Sequence, residues 1–275
     1  MIDINKFILH LTNHLSIQGI VCYGSYALAL NDEKSDIDLL ILMKEEIPNQ
    51  QIRRQCYQQF PALTVISFAE ETMNAGNWDN SWSPVNDKLI LHHQPLDIGY
   101  NTTTWVDKVI NNLIIKQQTS FPEFPFRPYS FLGLLESAKI FYDKDDFIQN
   151  HLKKIRPMPL TLKEKIIREF LPILIESHQE LLDYSERNIG ILAFQFHLGR
   201  GLDALEQVLF AINNVYHPAS KYIEYFLLRL KYQPPGLADF IHSTLPKFYE
   251  NKKAVVDFFK TALDFIENKT LNTTG

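Results

Sequence analysis

The chain has 275 residues, 45% of them apolar, which allows one large or two modest domains with a real buried core. Its 27 basic and 32 acidic side chains leave a net charge of −5. That balance gives no general attraction for a polyphosphate backbone, and it argues against a polymerase, a tRNA-processing enzyme or polynucleotide tailing. Cys22 and Cys56 cannot make a disulfide framework, and no Cys/His run has zinc spacing, so both read as buried neutral thiols of a cytoplasmic protein. No run approaches the ~20 apolar residues that span a bilayer, and the opening MIDINKFILHLTNHL does not read as a secretory signal.

In chain order, Ile4, Phe7, Ile8, Leu11 and Leu15 recur at helical spacing. An apolar run, Ile20 to Tyr23, ends at Gly24-Ser25, and a short helical patch covers Tyr26 to Leu30. A polar turn, Asn31 to Ser35, leads into a strand over Ser35 to Leu42. Residues two apart on a strand share a face, so Asp36 and Asp38 project together while Ile37 and Leu39 turn into the core. Two carboxylates side by side repel unless a cation lies between them, and hard oxygen ligands suit Mg²⁺ shared with substrate phosphates. Gly24 lets a backbone approach a phosphate closely, and the N–H groups that follow favour an anion.

Glu45 to Phe60 reads as a helix with Ile47, Ile52, Cys56 and Phe60 on its apolar side. Leu63 to Phe68 is a strand, Glu70 to Asn86 a loop carrying Trp78, Asp79 and Trp82, and Lys88–His92 with Pro95–Tyr100 a hairpin turning at His93-Gln94. Thr102 to Thr104 offer caps for a helix to about Gln117. These pieces make a small α+β sheet with helices on one side. The segment Thr119 to Tyr129, rich in Pro and Phe, holds the domain junction, giving domains 1–117 and 118–275. Beyond it every periodic segment reads as helix: Ser130–Tyr142, Asp145–Lys154, Leu160–Asn188 with Pro172 inside, Ile189–Tyr216, Pro218–Tyr232, Gly236–Glu250 and Lys252–Lys269.

The stretch GSYALALNDEKSDIDLLIL resembles the G-S, spacer, D-x-D signature of the nucleotidyltransferase superfamily with a DNA polymerase β-like palm. The segments Gly76 to Pro84, Phe126-Arg127-Pro128-Tyr129 and Asn213 to Lys221 resemble a bacterial branch with a C-terminal helical domain. The resemblance implies an α+β palm followed by an all-α bundle, and the active site is expected in the cleft between them, as domain interfaces commonly hold one. It implies a third carboxylate on a later strand, the position of Asp97. Asp36, Asp38 and Asp97 then hold Mg²⁺, two ions, and carry catalysis, while Gly24, Ser25 and Lys221 bind the triphosphate of an NTP, ATP first. The activity implied is transfer of a nucleoside monophosphate to an acceptor hydroxyl, with release of pyrophosphate.

The expected acceptor is a small, aminoglycoside-like molecule. The rivals are a protein acceptor and an NTP sensor without turnover. Trp78 and Trp82 stand equally for stacking on a substrate and for anchoring a loop. On the helix Ile189–Tyr216, the stripe His197, Arg200, Asp203 and Gln207 is either a wet face with an Arg200–Asp203 ion pair or a lining of the acceptor pocket. Arg127 braces the domain junction. Oligomeric state is open.

Overall fold

The computed structural model describes residues 4–61, 63–70, 84–119, 129–187, 190–218 and 220–271. Packing divides the chain into two units, Met1–Pro157 and Met158–Gly275. This division falls beyond the 117/118 junction expected from the sequence.

The first unit runs α1 (Ile4–His14), β1 (Ile17–Tyr23), α2 (Gly24–Leu28), β2 (Ile37–Met43), α3 (Gln50–Gln58), β3 (Leu63–Glu70), β4 (Val85–Leu91), β5 (Gln94–Thr102), α4 (Thr103–Ile114), α5 (Ser130–Ser137), β6 (Lys139–Asp143) and α6 (Phe147–Ile155). The six strands form one sheet in the order β3-β4-β5-β2-β1-β6. β2 and β5 are parallel and the other pairs antiparallel. Alternation along the strands gives the sheet two faces. Ile20 and Cys22 of β1, Ile37, Leu39 and Ile41 of β2 and Leu96, Ile98 and Tyr100 of β5 share a core with Phe7, Leu11, Cys56 and Tyr57 of α1 and α3. On the other face α6 comes so close to β1 that a Cβ on Gly19 would lie 2.6 Å from Ile148 Cδ1. Helices therefore cover both sides of the sheet, not one.

Three local readings change. Ser130–Tyr142 is not one helix: α5 stops at Ser137, Ala138 turns extended (φ −72°, ψ 148°), and Lys139–Asp143 becomes edge strand β6 beside β1. The hairpin turns at His92-His93, both at positive φ (47° and 77°), because Leu91 pairs with Gln94 across a two-residue loop. On α3 the buried side chains are Arg53, Cys56 and Tyr57, while Ile52 is exposed. The α4 start is as read: the Thr102 hydroxyl accepts from Trp105 N–H.

The second unit is helical: α7 (Leu160–Glu186), α8 (Ile191–Ile212), the short α9 (Ile223–Leu227) and α10 (Leu237–Asp239), and α11 (Lys252–Leu271). α7 runs through Pro172 without ending. α8 packs closely on α7 and α11: a Cβ on Gly201 would stand 2.5 Å from Phe259 Cε1 and 2.9 Å from Ser177 Cβ. The stretches read as helices Pro218–Tyr232 and Gly236–Glu250 are broken into short α, 3₁₀ and π turns. Asn213 closes α8 by donating to Leu209 O and Tyr232 O and accepting from Tyr232 N–H, so it pins the following loop. Among the described residues no helix is long and apolar enough to cross a membrane.

Candidate active site

The site lies on one cross-strand rung. Tyr23 of β1 pairs with Asp38 of β2, Asp38 with Asp97 of β5, and Asp97 with Lys88 of β4. Residues on one rung present their side chains to the same face. Ile37 and Leu39, the neighbours of Asp38, point the other way into the core. Asp36 precedes β2 by one residue and keeps the parity of Asp38. One carboxylate oxygen from each of Asp36, Asp38 and Asp97 lies within 4.8 Å of the others.

Gly24 closes the site from the β1 side. It sits at φ +68°, and a Cβ there would stand 2.3 Å from Asp38 Oδ2. Only glycine meets both the dihedral and the contact. Ser25 is 2% exposed, inside the turn that starts α2. The Tyr26 hydroxyl donates to Gln94 Oε1 (2.8 Å), and Gln94 Nε2 donates to Ser35 O (2.7 Å). Gln94 thus ties α2 to the loop that delivers Asp36 and to the start of the strand that carries Asp97.

The electrostatics fit a cation. The Asp97 Oδ1 atom is buried and has no hydrogen-bond partner, while Oδ2 lies 3.7 Å from Lys88 Nζ. A buried acceptor left unsatisfied costs roughly 1–3 kcal/mol, and a metal ligand position is one reason to keep it. Burial, then Asp38, Asp97 and Asp36 in turn, push the Tyr23 hydroxyl well above the usual phenol range, so it stays a neutral donor beside the acids. Burial first and Asp38 second push the Cys22 thiol up to about 12, against a smaller opposing pull from Lys139. All-oxygen carboxylate donors suit Mg²⁺ better than a thiolate metal.

Gly24→Ala is expected to cost about 1–3 kcal/mol, from a non-glycine residue in the left-handed region and the displaced Asp38 carboxylate. Denaturant melts measure the cost. Titration calorimetry of Mg²⁺ on the same variant is expected to show about 10–100-fold weaker binding, the usual price of disturbing the support of a metal ligand.

The structure brings Gly24, Ser25, Asp36, Asp38 and Asp97 together. Trp78, Asp79, Trp82 and Arg127 lie outside the described residues. His197, Arg200, Asp203 and Lys221 belong to the second unit. There Arg200 Nη2 pairs with Glu176 Oε2 of α7 at 2.9 Å, not with Asp203, whose Oδ1 accepts from Gln207 Nε2. The His197 ring stands edge-on to Tyr184 and Phe196. Lys221 is exposed, in a 3₁₀ turn, with Nζ 5.6 Å from the Tyr222 ring centroid. Sequence reasoning missed Tyr23, Lys88 and Gln94, whose places depend on strand register; the one available signal was that Tyr23 ends the run just before Gly24.

The family model for a nucleotidyltransferase domain matches residues 4–74, which include Gly24, Ser25, Asp36 and Asp38. A Methanocaldococcus jannaschii protein, "Putative protein adenylyltransferase MJ1305", is 28% identical over 162 residues, 59% of this chain and 78% of that protein. A crystal structure of a nucleotidyltransferase-like protein from Exiguobacterium sibiricum 255-15 aligns over 97% of this chain and 73% of its own, at 12% identity and a TM-score of 0.39.

Proposed function

We propose, from the premise that residues 4–74 form a nucleotidyltransferase domain, that this chain transfers a nucleoside monophosphate from an NTP, ATP first, to an acceptor hydroxyl. The observation that carries the reading is the convergence of Asp36, Asp38 and Asp97 beside Gly24, with one buried Asp97 oxygen lacking a partner. These three acids would hold Mg²⁺, two ions in the complete site. Bound there, the ions would neutralise phosphate charge and stabilise the entering and leaving oxygens.

The chain's own groups do the rest. The Gly24-Ser25 turn offers backbone N–H groups and a hydroxyl to the triphosphate. The acceptor oxygen forms its bond to the α-phosphorus as the bond to the bridging oxygen breaks, and pyrophosphate departs. The hydroxyl proton passes to a carboxylate, for which Asp97, with a buried oxygen lacking a hydrogen-bond partner, is the candidate. Tyr23, held neutral by burial and the surrounding acids, keeps its hydroxyl proton beside them. Lys88 neutralises Asp97 from the edge of the site.

The family resemblance implies a small-molecule acceptor. A second reading, a protein side-chain hydroxyl, is favoured by the name of the M. jannaschii relative, which aligns over 162 residues. The test is incubation with labelled NTPs and Mg²⁺ over a panel of hydroxyl compounds and candidate proteins. Pyrophosphate release with soluble labelled product supports the small acceptor, and label retained on a denaturing gel supports the protein. Tight ATP binding without release under any condition overturns both and leaves a nucleotide sensor.

A further inference from the structure

We propose that His10 and His14 of α1 and Cys56 of α3 form a zinc site that clips the two helices together on the sheet face opposite the three aspartates. A ring nitrogen of each histidine and the Cys56 Sγ lie within 4.8 Å of one another. His10 and His14 are one helical turn apart, the spacing that sets two imidazoles on one side of a helix. Their rings stand 4.2 Å apart. Cys56 comes from a different helix, 42 residues after His14 in the chain, so no linear spacing reveals the cluster.

The surroundings resemble those of a metal-binding histidine pair. Each ring has one nitrogen on a backbone carbonyl: His10 Nε2 on Cys56 O at 2.8 Å, and His14 Nδ1 on His10 O at 2.8 Å. Such bonds fix the tautomer and aim the ring, the usual outer support of a metal-bound imidazole. The Phe60 ring, 5.2 Å from His10, walls the site with apolar surface. His14 is exposed and Cys56 is buried, so the cluster has a dry end for the sulfur and a wet end open to a water ligand.

The donor set selects the metal. Two imidazoles and a sulfur suit Zn²⁺ and are poor partners for Mg²⁺, which takes oxygen. Burial pushes the Cys56 thiol up to about 11, so the metal-free protein holds no nucleophilic thiolate here. A cation supplies the charge that lets sulfur lose its proton. Phe7 and Leu11 of α1 and Cys56 and Tyr57 of α3 pack against the core faces of β1 and β2. Zinc would therefore brace the back of the sheet whose front carries the acids. The inference stands independently of the proposed activity.

The experiment uses the full chain, stripped with chelator and titrated with Co²⁺ and then Zn²⁺. We expect one sulfur-ligated Co²⁺ per chain, marked by near-ultraviolet thiolate-to-cobalt absorption that is lost on adding Zn²⁺, and a melting temperature raised by Zn²⁺. His14→Gln changes an exposed residue and should fold; it should remove the absorption and reduce the zinc-dependent rise. Asp38→Asn should keep both, which separates this site from the carboxylates. Absorption that survives in His14→Gln, or that vanishes in Asp38→Asn, overturns the proposal. So does Co²⁺ binding with no sulfur band in the unaltered chain.

Discussion

Asp38→Asn is expected to lower nucleotidyl transfer by at least about a thousandfold while the fold survives, since charge stabilisation at the reacting centre is usually the largest single contribution to catalysis. Asp38 is the middle residue of the rung, between Tyr23 and Asp97, and its Oδ2 faces Gly24. Asparagine keeps the shape and loses the charge, so it removes a proposed divalent-ion ligand without opening a cavity. It also takes one charge from a cluster of three acids, which relieves repulsion when no cation is present. Melting should therefore stay close to that of the parent protein or rise slightly, and Mg²⁺ should raise it less than in the parent. Pyrophosphate release and thermal melts, with and without Mg²⁺, measure the two effects. A rate near that of the parent would mean that the three acids do not hold the metal of the reaction.

What could be read in advance follows from how far each interaction reaches along the chain. The Asp36/Asp38 pair and Gly24 lie within 15 residues, and strand alternation plus the glycine turn were enough to bring them together. Asp97 came from the family pattern; the parallel pairing of β2 with β5 that sets it beside Asp38 joins segments about 60 residues apart. Lys88 was invisible for the same reason, since its pairing depends on where the His92-His93 turn falls. In β6, Lys139-Ile140-Phe141-Tyr142-Asp143 is five residues long and follows a helix with only Ala138 between. A run so short has no period of its own, and its state is decided by the open edge of β1. The apolar face of α3 was misjudged because hydrophobicity favoured Ile52, whereas the sheet offered a carboxylate that drew Arg53 inside.

That carboxylate is the basis of the second large effect: Asp87→Asn is expected to destabilise the protein by about 3–5 kcal/mol, the usual consequence of breaking a buried ion pair on one side. Arg53 and Asp87 are both fully buried. Asp87 Oδ2 accepts from Arg53 Nε at 2.8 Å and from the Tyr57 hydroxyl at 2.7 Å, and Oδ1 accepts from Arg53 Nη2 at 3.1 Å. Arg53 Nη1 donates to Pro48 O. The Tyr57 proton is used on Asp87, so the Tyr100 hydroxyl donates to Tyr57 in turn. Burial first, then Tyr100 and Asp87, push the Tyr57 hydroxyl far above its usual range, which keeps it a neutral donor. An asparagine turns an amide towards a guanidinium and removes its counter-charge, at a site where water cannot replace it. Arg53→Met alone leaves the opposite error, a buried carboxylate without its counter-charge. The double variant Arg53→Met/Asp87→Asn buries no full charge, so its cost should fall well below the sum of the two single costs. Denaturant melts of the four proteins give the coupling directly. Additive single costs would mean that water reaches the pair and screens it. A coupling of several kcal/mol would mean that α3 is held to β4 by charge as well as by apolar packing, one residue away from the strand position that delivers Lys88 to the acids.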